Sequence, residues 1–384
     1  MKEPVAKLKC TSCGHVEYGM TSKSVGETLS NNCYRCHGDM TVEDRGELPK
    51  EFNKIGELVS DEFHIWDFRM TSKKLEFLIE SDAPKEPFSN LLSELREMGY
   101  IAALRSNNGD LGIVIQKSPE PDESNVWLNV ILFLGTVVTT FLFAGYFLLY
   151  NDYFYAALFS ASLLTILVSH ELGHKMITWK YKVSASLPYF IPAPTLIGTL
   201  GAIIKTKSPI PSKKALVEMG ASGPVIGFLI SLPIAAIGLA LSEPVGGEIL
   251  KSIPPPLIFT ILGNLILEDF STNLSLHPLA FAGLIGIFVT WLNLMPAGQL
   301  DGGHVTRGLL NEEKHFFLGR IIGFTLVLMG FIWIIFLFWG LLVLFIFGKP
   351  HSGALDDVTD LPEKHKLIAF FALIIFILCL PLPI

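Results

Sequence analysis

The sequence predicts a polytopic α-helical membrane protein, with about six transmembrane helices plus re-entrant segments, preceded by a cysteine-bearing module and a small α+β region. Three observations predict it. Half of the 384 residues are hydrophobic and only 17% are charged. Apolar runs long enough for a hydrocarbon core of about 30 Å recur from Val126 onward. Four of the five cysteines fall before residue 40, in two matched pairs. The net charge of −7 comes with no basic block, so no nucleic-acid partner is expected. The first twenty residues are polar and hold two cysteines, which argues against a cleavable signal peptide.

Residues 1–45 carry Cys10-x-x-Cys13 and Cys33-x-x-Cys36 with nineteen residues between them. This is zinc-ribbon spacing, in which two tight turns each present two thiolates to one tetrahedral Zn2+. A pair of disulfides or a redox dithiol are the alternatives, and two matched pairs favour structural zinc over either. Cys379 lies in an apolar run and reads as packing.

Residues 46–118 read as a small α+β domain. PKEFNKIGELVSD is a short helix, FHIWDFRM and LEFLIES are strands, and PFSNLLSELREMG is an amphipathic helix ended by Gly99. IAALRS and LGIVIQK flank a turn-forming Asn-Gly and make a hairpin. No catalytic constellation stands out there. Residues 119–125 are a polar, Pro-containing linker to the membrane domain, residues 126–384.

The first span covers 126–150, and a short turn leads into FYAALFSASLLTILVSHELGHKMIT. Its pentapeptide His170-Glu171-Leu172-Gly173-His174 sets two histidines four apart, on one helical face, where both reach a single Zn2+. Glu171 sits beside the metal and is placed to take a proton from the attacking water. The 16 residues before His170 carry no charge. The ligands therefore follow about 24 Å of apolar helix and lie within the membrane. Lys175, Lys180, Lys182, Lys205, Lys207, Lys213 and Lys214 flank this side, which predicts that it is cytosolic. The expected location is the cell membrane, multi-pass, with the N-terminal domain in the cytosol.

Residues 184–210 are apolar but contain Pro188, Pro192, Pro194 and Pro209, which argues against a continuous helix. A re-entrant or membrane-edge hairpin is expected, whose residues 188–201 either pair with an unwound substrate as an extended strand and wall the active-site cleft, or form an inert membrane-edge loop. A span at 215–241 follows, whose Gly220-Ala221-Ser222-Gly223 permits close helix contact. The same residues resemble a rhomboid nucleophile motif, without a later histidine in a helix interior as base. Residues 253–268 are short and begin with prolines, as a re-entrant helix would.

A helix from Pro278 also runs inward, and Asn293 stands 15 residues along it, close to the 16 from Phe154 to His170. Pro296 and Gly298 end that helix and the broken backbone presents Asp301, a third ligand that leaves a fourth position for water. Residues 316–348 are too long for one crossing, either one span to Trp339 and a short helix after Gly340 or two crossings with a tight break. A polar loop at 349–366 precedes a last apolar helix at 367–380.

With those residues in place, the chain resembles the site-2 protease family of intramembrane zinc metalloproteases. The resemblance rests on His170-Glu171-x-x-His174 and Asn293-x-x-Pro296-x-x-x-x-Asp301-Gly302, in that order, and LPYFIPAPTLIGTLGAI looks like its chloroplast and prokaryotic branch. It implies His170, His174 and Asp301 as zinc ligands, Glu171 as general base, and Asn293 as a helper that hydrogen-bonds substrate or the oxyanion. It further implies regulated intramembrane proteolysis of a membrane-anchored protein with a transmembrane helix, releasing a cytosolic fragment. Two Zn2+ ions are expected, one catalytic and one in the ribbon. A zinc transporter or metal-sensing membrane protein is the alternative from another class, and needs polar residues along a path to both faces.

Overall fold

The computed structural model describes the chain except residues 1–4, 31, 34–35, 46–49, 72–73, 82–83, 108–109, 119–124, 149–151, 196, 245–253, 268–269, 271–273 and 383–384. The expected Asn-Gly turn, most of the linker and Asn151 lie outside the described residues. The chain divides into two compact units, 1–120 with 355–360, and 121–354 with 361–384.

In the first unit, β1 (Val5–Cys10), β2 (Val16–Met20), β3 (Thr28–Leu29) and β4 (Met40–Arg45) are the ribbon strands. They are followed by α1 (Lys50–Glu62), β5 (His64–Thr71), β6 (Leu75–Glu80), α2 (Lys85–Glu97), β7 (Tyr100–Asn107) and β8 (Asp110–Lys117). All eight strands form one antiparallel sheet in the order β3-β4-β1-β2-β5-β6-β8-β7, so the segments 1–45 and 46–118 share it through β2 and β5. The alternation of β6, with Leu75, Phe77 and Ile79 buried, puts one face against Ile55 and Val59 of α1 and Phe88, Leu91 and Leu95 of α2. Gly99 ends α2 at a positive φ of 78°. One segment of this unit comes from far downstream. Leu104 of β7 pairs in parallel with Asp356 and donates its N–H to the Leu355 carbonyl at 2.8 Å. Leu355 is buried in the same core.

The second unit is helical. α3 (Val126–Phe143) continues as a π-helical turn, Ala144–Leu148, and α4 (Tyr153–Lys180) is capped by Asp152, which accepts from the Phe154 and Tyr155 amides. A hairpin of β9 (Tyr189–Pro192) and β10 (Thr199–Ile203) leads to α5 (Lys213–Ala240), then β11 (Glu243–Pro244), α6 (Leu257–Ile266), β12 (Leu274–Ser275), α7 (Pro278–Asn293), α8 (Asp301–Leu309) and α9 (Glu312–Met329). The unit closes with α10 (Ile334–Leu342), a π-helical turn at Val343–Phe347, and α11 (Glu363–Leu378). Among the described residues, three helical stretches are long and apolar enough to cross a membrane: Val126–Tyr146, Tyr153–Lys180 and Lys213–Ala240.

The outer surface of α3 inverts the pattern of a soluble helix. Trp127, Ile131, Leu134, Val138 and Leu142 are exposed, whereas Asn129, Thr136 and Thr140 are buried. Such polar-in, apolar-out order suits a lipid surround. α5 lies between α4 and α7. On one side Gly227 packs on His170 and Gly223 on His174, and on the other Gly238 meets Ala280 and Gly283 meets Ala235, so α5 runs antiparallel to both. α4 and α7 are therefore parallel, with Phe159 stacked on Phe281 at 5.7 Å. The long apolar stretch at 316–348 is a helical hairpin. Its break falls at residues 330–333, and Gly330 packs on Leu337 and Gly340 on Val327.

Candidate active site

α4 brings His170 and His174 onto one face, with their Nε2 atoms 3.1 Å apart. α8 supplies the third group. Asp301 Oδ2 lies 3.2 Å from His170 Nε2 and 3.3 Å from His174 Nε2. A tetrahedral zinc with ligands at about 2.0–2.2 Å separates them by about 3.3–3.6 Å, so these three atoms fit the edges of one coordination sphere. The protonation of His174 fits as well. Its Nδ1 is 2.9 Å from the Met219 carbonyl, which only accepts, so the hydrogen is on Nδ1 and the Nε2 lone pair faces the centre.

Glu171 is 5% exposed and lines the same cavity, of about 210 Å³, as His170, His174 and Asp301. Asn293 closes the last turn of α7 with Nδ2 at 3.4 Å from His170 Nε2, at the depth expected from equal helix lengths. This stretch lines the cavity with Ala202, Ile203, Ile204 and Thr206, at the end of β10 and just beyond it, and with none of the described residues of the expected 188–201. β10 has β9 on one side and no strand on the other among the described residues.

The sequence gives little warning of how closely the backbone must approach. A Cβ on Gly223 would collide with His174 Nε2, and one on Gly220 with the Asp301 carbonyl. The Gly-Ala-Ser-Gly at 220–223 thus forms the floor of the centre, and Ser222 Oγ donates back to the Met219 carbonyl at 3.1 Å. After α7, Gly298 turns at a positive φ of 50°, and Gly302 and Gly303 press on the carbonyls of Leu294 and Gly298. Those contacts fold α8 back and place Asp301 at its first residue. Arg307 of α8 donates to the carbonyls of Leu310 and His351.

In the ribbon, Cys10, Cys13, Cys33 and Cys36 come together with all four sulfurs within 4.8 Å. Cys10 and Cys36 are 3.4 Å apart and Cys13 and Cys33 3.7 Å, well beyond a disulfide bond and near the roughly 3.8 Å edge of a zinc tetrathiolate. Each pair sits in a knuckle: the Gly14 N–H donates to the Cys10 carbonyl and the His37 N–H to the Cys33 carbonyl. The Cys13 backbone N–H, followed by that of Ser12, pulls the Cys10 thiol down to about 6, toward the thiolate a metal needs.

Comparison with known proteins covers the stretch that holds both motifs. Residues 158–337, which include His170, Asn293 and Asp301, match the model of Peptidase family M50. The chain carries an M50 domain. Its relatives include "Probable zinc metalloprotease EGY1, chloroplastic" of Arabidopsis thaliana, 35% identical over 58% of this chain and 42% of the relative. The protein of that name from Oryza sativa subsp. japonica is 32% identical over 56% and 39%. "Probable zinc metalloprotease EGY2, chloroplastic" of Arabidopsis thaliana is 27% identical over 58% and 41%. The chain thus spans about four-tenths of the length of these curated relatives. No solved structure matches it.

Proposed function

We propose that this M50-domain protein is an intramembrane zinc metalloprotease. It hydrolyses a peptide bond within or next to a transmembrane helix of a membrane-anchored protein and releases a fragment toward the cytosol. The observation that carries this reading is the meeting of His170, His174 and Asp301, with Glu171 in the same cavity, at the end of 16 uncharged helical residues. His170, His174 and Asp301 would hold a zinc ion, which would supply Lewis acidity to the scissile carbonyl and the attacking water. Glu171 accepts that water's proton and later delivers it to the leaving amine. Asn293 Nδ2 donates a hydrogen bond to the substrate carbonyl oxygen. The open edge of β10 takes an unwound substrate strand, which frees the scissile carbonyl from its helical hydrogen bond.

Six crossings follow if α3, α4, α5, α7 and both arms of the α9–α10 hairpin are inserted, and α11 would add a seventh. The lysines at 175, 180, 182, 205, 207, 213 and 214 orient the chain with its zinc-holding ribbon in the cytosol. The membrane in question is the cell membrane of the source cell. The test is cleavage of a peptide carrying one transmembrane helix by the full chain in detergent. Asp301→Asn should lose both cleavage and one zinc per chain, and Glu171→Ala should lose cleavage alone. An active Glu171→Ala variant, or zinc flux into proteoliposomes abolished by His170→Ala, would replace this reading.

A further inference from the structure

His304 stands three residues after Asp301 on α8 and lines the cavity beside Glu171 and Asp301. It is outside the trio of atoms that can share one ion. Its ring is held from behind, with Nδ1 2.7 Å from His351 Nε2 and the two rings nearly perpendicular, at 87°. The hydrogen positions follow from one unambiguous donor. The Gly353 backbone N–H donates to His351 Nδ1 at 2.9 Å, so that nitrogen accepts. Burial above all holds the His351 ring well below the usual imidazole range, and with Nδ1 accepting the ring is neutral. A neutral imidazole carries a single N–H. His351 therefore keeps its hydrogen on Nε2 and donates to His304 Nδ1, and His304 in turn keeps its own on Nε2. That nitrogen has no hydrogen-bond partner among the described residues, nor is it one of the sealed, unpartnered atoms.

We propose that His304 is a further catalytic residue of this centre, whose neutral Nε2–H donates a hydrogen bond to the oxyanion forming on the scissile carbonyl. His351 and the Gly353 N–H are positioning groups that fix its tautomer. The role rests on the proteolytic reading. No proton leaves His304: the carbonyl oxygen gains the electron pair of the C=O π bond as water attacks, and the water's proton goes to Glu171. A donor already aimed at that oxygen lowers the barrier without reorganising at the moment of reaction.

The test uses the full-length, zinc-loaded protein in detergent with a fluorogenic peptide carrying one transmembrane helix. His304→Met keeps the length without a donor, and kcat should fall about 10²-fold, with KM within about twofold and two zinc ions retained. His304→Gln restores an N–H near the position of Nε2 and should recover about tenfold of that loss. His351→Phe should lower kcat about tenfold. In protein labelled with 15N-histidine, the His304 ring should show its hydrogen on Nε2 in the wild type and a mixture of tautomers in His351→Phe. Equal losses in His304→Met and His304→Gln, or a wild-type hydrogen on Nδ1, would overturn the proposal. Wild-type protein that cleaves no membrane peptide, while the spectrum shows the Nε2 tautomer, would sink the proteolytic reading instead and take the oxyanion role with it.

Discussion

One methyl group suffices to disturb the centre, because α5 meets the ligands with backbone rather than side chains. Gly223→Ala should push His174 Nε2 out of reach of Asp301. Elemental analysis should then find one zinc per chain, that of the ribbon, and no cleavage. Glu171→Gln acts differently, since it removes a base and no ligand. Cleavage should fall about 10³-fold with both ions retained. At this scale the motif residues were legible, because a four-residue spacing on a helix fixes a shared face whatever surrounds it. His304 was not legible: its meaning depends on His351, 47 residues along the chain, and on a backbone amide. The floor at Gly220 and Gly223 was legible only as a permission for close packing. Which helix accepts it, and that His174 lies there, follow from tertiary contact alone.

Among the elements, the hairpin β9–β10 is the one proposed to pair with the substrate strand. Single cysteines at Ala202, Ile203 or Ile204, which line the cavity, should capture a cysteine-bearing substrate near its scissile bond. Cysteines on α3 at Ile131 or Leu134, which face outward, should capture much less. Equal capture from both would remove the hairpin from the mechanism. The hairpin was readable because Pro188, Pro192 and Pro194 deny a helix to an apolar stretch. It is tied to α3 by Asn129 Nδ2, which donates to the carbonyls of Leu187 and Pro188, and by Thr139 Oγ1, which donates to that of Gly198. Helix α8 escaped notice because Gly302 and Gly303 lower helix propensity just where it starts, and tertiary packing overrides that preference. The break in 316–348 was readable as a need but not as a place. Gly330 and Gly340 are equivalent in sequence, and only their packing on Leu337 and Val327 shows that the turn lies beside the first.

For the whole molecule, residues 355–360 give the least expected result, since a segment read as polar loop belongs to the N-terminal unit. Asp356, Asp357 and Asp360 mask the apolar signal of Leu355 and Val358. Leu355→Ala should destabilise that unit by about 2–5 kcal/mol, by removing a buried leucine. Amide exchange in β7 and β8 should quicken accordingly, and unchanged exchange there would mean that the segment is not part of the core. The central claim is that one zinc centre inside the membrane hydrolyses a helical substrate. Mass spectrometry of products formed in H2 18O from a peptide with a single transmembrane helix tests it most directly. The account predicts one 18O atom in a new carboxyl end, at a bond within or beside the helix, and no such product from Glu171→Gln. Products that keep forming in that variant, or a cut only far from the helix, would contradict it.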